Sequence, residues 1–172
     1  MLGLKRGLFA LGVLAGLGAA SDLTAFSGAW IAEGSSQTTI DRAISSYGSR
    51  LDSSTRVMVQ QRLKSTNQPT LHLAIAALDS GRKVAIGYED SPGMATSIDG
   101  SPLVSKGRSG EEFQMRVVMK AGVLVESYEA EDGTRTNRYS LSPDGKAMSM
   151  EVKVESPYMP EPLGYRVGFT RK

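Results

Sequence analysis

Residues 112–130 read EFQMRVVMKAGVLVESYEA, and the period of that stretch decides the fold. From Glu112 to Lys120 the odd positions Phe113, Met115, Val117 and Met119 are apolar, while Gln114, Arg116 and Lys120 are polar. Alternation with a period of two puts successive side chains on opposite faces, which is a strand with one core face and one wet face. Ala121-Gly122 then supplies turn chemistry, and residues 123–130 form a second strand leaving it. The same period runs outward in both directions. Candidate strands are 70–78, 83–89, 94–98, 103–106, 112–120, 123–130, 134–141, 146–155 and 163–171, parted by signals such as Asp79-Ser80-Gly81, Asp99-Gly100, Asp132-Gly133 and Pro143-Asp144-Gly145. Met148, Met150, Val152 and Val154 share one face, as do Leu163, Tyr165, Val167 and Phe169 on the last strand. Short connections imply antiparallel neighbours, and closure removes the exposed edges that so long a meander would carry as an open sheet. The expectation is a mainly β chain, an antiparallel up-and-down β-barrel of about 8–10 strands.

Upstream the pattern differs. Residues 26–32, which hold the one Trp, read as a strand. A helix pair is inserted after it, at about 37–66. Thr38 and Asp41 form a variant capping box, Ile40, Ala43, Ile44 and Tyr47 fall on one helical face, and Gly48 ends the first helix. Ser53 or Ser54 caps the second, in which Val59 and Leu63 are one turn apart, and Asn67-Gln68-Pro69 stops it.

Residues 1–21 read as a signal peptide. Lys5 and Arg6 precede an apolar run at 7–18 that is too short to span a bilayer, and Ala19, Ala20 and Ser21 are small enough for cleavage near Ser21. The alternative is a retained N-terminal anchor. Cleavage leaves residues 22–172 as a single domain, periplasmic or secreted, with no integral membrane span.

Charge and composition exclude several functions. The chain has 172 residues, 20 Lys+Arg against 18 Asp+Glu, one His and no Cys. Without Lys5 and Arg6 the charges balance, and Arg56, Arg62 and Lys64 on the second helix are too few and dispersed to read DNA, so no nucleic-acid partner is expected. Absent cysteine and a lone His72, out of phase with Leu71, Leu73 and Ile75, give no metal or haem ligand set. No nucleophile-elbow sequence is present. No cofactor and no enzymatic activity are expected.

The barrel interior carries the functional reading. Phe113, Met115, Met119, Tyr128, Tyr139, Met148, Met150 and Tyr165 line a small-molecule cavity if the barrel is hollow, and pack a core if it is filled. Glu126 is in phase with Tyr128, and Arg135, Asn137 and Tyr139 are in phase with one another. Either Glu126 and Asn137 point inward, as ligand-orienting groups or a buried hydrogen-bond network, or the register breaks and they face solvent.

Phe26-x-Gly28-x-Trp30 resembles the Gly-x-Trp opening of the calycin superfamily, the lipocalins and fatty-acid-binding proteins. The resemblance implies that a basic residue of the last strand packs across the Trp. Arg171, in phase with Phe169, fits, and Gly28, Trp30 and Arg171 would then close the barrel. One strand, two helices and about nine further strands is similar to the fatty-acid-binding layout, in which the helix pair covers the barrel mouth. The Arg-x-Tyr carboxylate clamp of that family is absent from the last strand, where Tyr165 and Arg166 are adjacent, so a charged lipid is not implied. The run from Tyr139 to Lys146 resembles small exported bacterial lipocalin-like proteins, which implies a bacterial source. Two functions follow: an extracytoplasmic binding protein for a small apolar or amphipathic molecule, or an envelope interaction or inhibitor module with a filled core. The second would work through the loop from Pro157 to Pro162, with Tyr158 and Met159 as an exposed apolar tip.

Overall fold

Where two strands are joined by two residues, the turn must twist with the strands, and Ala121 and Gly122 do so with φ of 49° and 79°. Lys120 and Val123 pair directly across them. A computed structural model describes residues 22–34, 36–89, 92–107 and 110–172, so the proposed signal peptide lies outside the described residues. Ten strands form one antiparallel sheet: β1 (Gly28–Ala32), β2 (His72–Leu78), β3 (Lys83–Tyr88), β4 (Ala95–Ser97), β5 (Leu103–Lys106), β6 (Glu112–Lys120), β7 (Val123–Ala130), β8 (Gly133–Leu141), β9 (Ala147–Glu155) and β10 (Leu163–Arg171). Their order, β4-β3-β2-β1-β10-β9-β8-β7-β6-β5, is that of an up-and-down meander wrapped until its first strand meets its last. The two sheet edges approach each other at a seam. There Asp99 bridges Val118, the Gly100 N–H donates to the Val117 carbonyl (3.0 Å), and Arg116 Nη1 donates to the Gly100 carbonyl (3.3 Å). The result is a near-closed barrel.

Two helices separate β1 from β2: α1 (Ser36–Gly48) and α2 (Ser53–Thr66). Ile40, Ile44 and Tyr47 bury one face of α1, which packs on β10. The α1 start differs from the expected capping box: the helix begins at Ser36, so Thr38 and Asp41 lie inside its first two turns. The cap of α2 is Asp52 rather than Ser53 or Ser54. Its carboxylate accepts from the Ser54 and Thr55 hydroxyls and from the Ser54 and Thr55 N–H groups (3.0 and 3.1 Å), which together hold it well below the usual carboxylate range. Leu63 is the buried residue of α2, and Asn67 closes its C-terminus. Phe26 lies in a 3-10 turn (Leu23–Phe26) rather than in a strand, and it is fully buried there.

That turn seats Trp30. The indole Nε1–H donates to the Phe26 carbonyl (3.0 Å), and the Arg171 guanidinium lies 4.3 Å from the ring centroid. Arg171 is fixed in turn by donating to the carbonyls of Ser27 (2.6 Å), Ala25 (2.7 Å) and Gly145 (3.2 Å). A Cβ at Gly28 would come within 2.8 Å of Arg171 Nη1, and its φ of 144° is itself costly for a side chain, so glycine answers both demands. Trp30, Leu73, Leu124, Met148, Met150 and Phe169 are buried in one contiguous cluster above this plate. This end of the barrel is packed.

Candidate ligand site at the barrel mouth

The opposite end is polar. In the β7–β8 ladder Leu124 faces Tyr139, Glu126 faces Asn137, and Tyr128 faces Arg135, so one inward row on each strand grades from apolar to charged toward the mouth. Glu126 and Asn137 are buried. The inward option of the two left open by the alternation is the one adopted. Tyr128 donates to Glu126 Oε1 (2.6 Å), while Tyr139 (2.8 Å) and Asn137 Nδ2 (3.0 Å) donate to Oε2, which Tyr88 of β3 also reaches. A buried carboxylate demands such a shell, because taking it out of water without one is prohibitive. Burial, reinforced by the Glu126 charge, pushes the hydroxyls of Tyr88, Tyr128 and Tyr139 far above the ordinary tyrosine value, so they stay protonated donors.

The network continues to the helix lid. Arg135 Nε donates to Asn137 Oδ1 (3.0 Å), and its Nη1 donates to Asn67 Oδ1 (3.2 Å) and to the Thr66 carbonyl (3.3 Å), the exposed C-terminus of α2. Tyr165 donates to the same Asn67 oxygen (2.9 Å). Burial opposes the charge of Arg135, but the surrounding tyrosine oxygens and Glu126 outweigh it and raise its pKa further.

Two cavities meet here. One, of about 230 Å³, lies under α2 and is lined by Val59, Leu63, Tyr128, Ala130, Val154 and Met159, with Arg62, Asp132, Arg135 and Glu155 among its charged residues. The other, about 380 Å³ and more open, is lined by Thr66, Gln68, Thr70, Tyr88, Phe113, Tyr128, Arg135 and Asn137. Thr66, Tyr128 and Arg135 belong to both.

The expected lining residues therefore divide. Phe113, Tyr128 and Asn137 line the mouth cavities; Glu126 and Tyr139 stand behind them in the network; Tyr165 anchors α2. Met115, Met148 and Met150 are buried and Met119 half-buried, Met148 and Met150 inside the packed cluster. The loop from Pro157 to Pro162 does not present the expected tip: Tyr158 is 79% exposed, but Met159 folds inward against the core and lines the α2 cavity. Tyr88, Asn67 and the α2 residues were not foreseen. Tyr88 was legible as in phase with inward Val84 and Ile86, and Arg135 as in phase with Asn137. Among the described residues no cluster of three or more His, Cys, Asp or Glu is placed to hold a metal ion, and no helix is long and apolar enough to cross a membrane.

No protein-family profile and no curated protein matches this chain in sequence. Solved structures do match in shape. A secretory abundant heat soluble protein from Ramazzottius varieornatus superposes with a TM-score of 0.56 at 11% identity, covering 86% of this chain and 96% of that one. A Schistosoma mansoni fatty-acid-binding protein in complex with arachidonic acid gives 0.54 at 12% identity, covering 88% and 98%. Echinococcus granulosus fatty-acid-binding protein 1 gives 0.52 at 14% identity, covering 86% and 98%. The fold is that of the fatty-acid-binding proteins and related calycin barrels.

Proposed function

We propose that this chain is an extracytoplasmic binding protein that takes up a small apolar or amphipathic molecule at the barrel mouth, and that it is not an enzyme. The observation that carries the reading is the apolar cavity under α2, walled by Val59, Leu63, Val154 and Met159 and open toward a polar groove. Its volume of about 230 Å³ exceeds the roughly 150 Å³ at which a dry apolar cavity already binds benzene. Similarly folded fatty-acid-binding proteins, one of them in complex with arachidonic acid, support the ligand class. Export rests on the basic and apolar pattern of residues 1–21.

The site sits at the mouth rather than beside Met148 and Met150, which are buried among Trp30, Leu124 and Phe169. A neutral apolar dye, N-phenyl-1-naphthylamine, should bind saturably to the folded protein. Val59→Trp fills the cavity and should weaken dye binding by about tenfold or more with little change in the denaturation midpoint. Unchanged dye affinity in folded Val59→Trp would remove this site from consideration.

A further inference from the structure

Three of the seven residues from Ser156 to Pro162 are prolines, which fixes φ at Pro157, Pro160 and Pro162 and leaves this connection between β9 and β10 little freedom. Its first half is a turn, in which the Met159 N–H donates to the Ser156 carbonyl (3.0 Å) and the Tyr158 N–H to Ser156 Oγ (3.2 Å). Beyond the turn Glu161 pairs with Arg50, just past the end of α1 (2.9 Å), and Leu163 is buried at the start of β10. Met159 is thereby held from both sides, with its side chain packed against the core and set in the wall of the α2 cavity.

The other walls are closed to a long chain as well. Behind Tyr128 and Arg135 lie Asn137 and Tyr139, both buried and both bonded to buried Glu126, so a tail could enter the barrel only by parting that network. Toward the groove it would meet Gln68, Thr70 and Asn137, and an apolar chain laid there would desolvate their polar groups. The volume of about 230 Å³ is therefore a limit. A cavity of roughly 150 Å³ takes benzene, about 25 Å³ per carbon atom, and on that scale this one takes about nine or ten non-hydrogen atoms.

Charge on the lining is balanced. Among the described residues the cavity is lined by four charged ones, Arg62, Asp132, Arg135 and Glu155. Arg62 pairs with Asp132, and Glu155 with Lys153 (2.7 Å). Arg135 is joined to Glu126 through the Asn137 amide, which accepts from Arg135 Nε and donates to Glu126 Oε2, each at 3.0 Å. A ligand charge buried here would be desolvated with every opposite charge already matched. We infer that the ligand is a short, uncharged molecule that places about nine or ten non-hydrogen atoms under α2, and that Met159 is the specificity-determining residue that sets this length. This rests on the binding reading above and adds a size limit and a charge class to it.

The test is titration calorimetry of the folded protein with 1-hexanol, 1-octanol, 1-decanol and 1-dodecanol at pH 7. Affinity should rise about fourfold per added methylene up to 1-octanol, which has nine non-hydrogen atoms, and then level off, with less than about a twofold gain from 1-decanol to 1-dodecanol. Octanoate should bind at least about tenfold more weakly than 1-octanol. Met159→Ala opens the wall and should carry the rise on to 1-decanol or beyond, whereas Met159→Leu, close to Met in volume, should keep the wild-type limit. The naphthyl group of the neutral dye, with ten carbon atoms, meets the same limit when its phenyl ring stays in the groove. A rise that continues unbroken to 1-dodecanol in wild type, a limit that Met159→Ala leaves in place, or octanoate binding tighter than 1-octanol overturns the inference. If the dye binds saturably but none of the alcohols does, the size and charge assignment fails and the binding reading stands. If the dye fails too, both fall.

Discussion

The two ends of the barrel are stabilised by opposite means. At the closed end Trp30, Met148 and Phe169 are packed apolar groups, with one cation, Arg171, laid across the indole and engaged by three carbonyls. At the mouth Glu126 and its tyrosines form a buried polar cluster that joins, through Asn137 and Arg135, the C-terminus of α2. Apolar packing is non-directional and each group contributes in proportion to the area it buries. A polar cluster is directional and conditional, each member depending on its partners being present. The packed end keeps the barrel shut; the polar end fixes tyrosine and arginine side chains at defined positions beside the cavities, as a recognition surface requires.

The largest effects that test this contrast are single truncations. Trp30→Ala should lower stability by about 3 to 5 kcal/mol through the cavity it leaves. Glu126→Ala should lower it by a similar amount, about 3 to 5 kcal/mol, by stranding buried hydroxyl and amide donors. Urea denaturation of the two variants separates the mechanisms when each is combined with a second change. Adding Tyr139→Phe to Glu126→Ala should destabilise by less than the sum of the separate effects, with a coupling of about 0.5 to 3 kcal/mol, because the stranded hydroxyl is gone. Adding it to Trp30→Ala should be close to additive. Equal couplings at both ends would dissolve the distinction.

A smaller effect appears in alkali. The hydroxyls of Tyr88, Tyr128 and Tyr139 are held above their unfolded value by burial and by Glu126. Above pH about 10 the unfolded chain releases tyrosine protons that the native one retains, so stability declines as pH rises further. Tyrosinate absorbance and circular dichroism recorded together should show these three residues ionising only as the barrel unfolds. Ionisation with the native spectrum intact would mean the mouth is wetter than its geometry indicates.

The smallest effect belongs to the closed end. Arg171→Met removes the cation from the Trp30 face and should cost about 1 to 2 kcal/mol, read as a lower denaturation midpoint.

What could be read from sequence divides along the same line. Alternation and turn residues are local, and they specified the meander, the inward faces of β6, β9 and β10 and the helix insertion within a few residues. They also put Glu126 and Asn137 on a common face without saying whether that face was buried. Burial depends on Tyr88, 38 positions from Glu126, and on Asn67, 98 positions from Tyr165. No periodicity encodes such meetings. Asn67 was legible as a helix stop, and its second task, accepting from Arg135 and Tyr165, became visible only when α2 lay over β8 and β10. The Met159 reversal has the same origin: flanking prolines and polar neighbours mark a loop, but which of its apolar residues turns inward depends on the cavity beneath it.

The pairing of β1 with β10 has a consequence in time. Arg171 bonds to Ser27 and Ala25, 144 and 146 positions away, and pairs with Trp30 of β1, so the first strand is joined to the last. At about 5 to 20 residues per second, a ribosome that has released Trp30 needs roughly 7 to 30 s more to deliver Arg171. Hairpins such as β6–β7 form from local turns in microseconds, whereas contacts this far apart place the chain among slow folders, in the range of milliseconds to seconds. Until the last strand arrives, one long edge of β1 has no neighbour and Trp30 has no cover. The nascent chain is therefore an open sheet with an adhesive edge for most of its synthesis, and whatever attends it in that interval has β1 to protect.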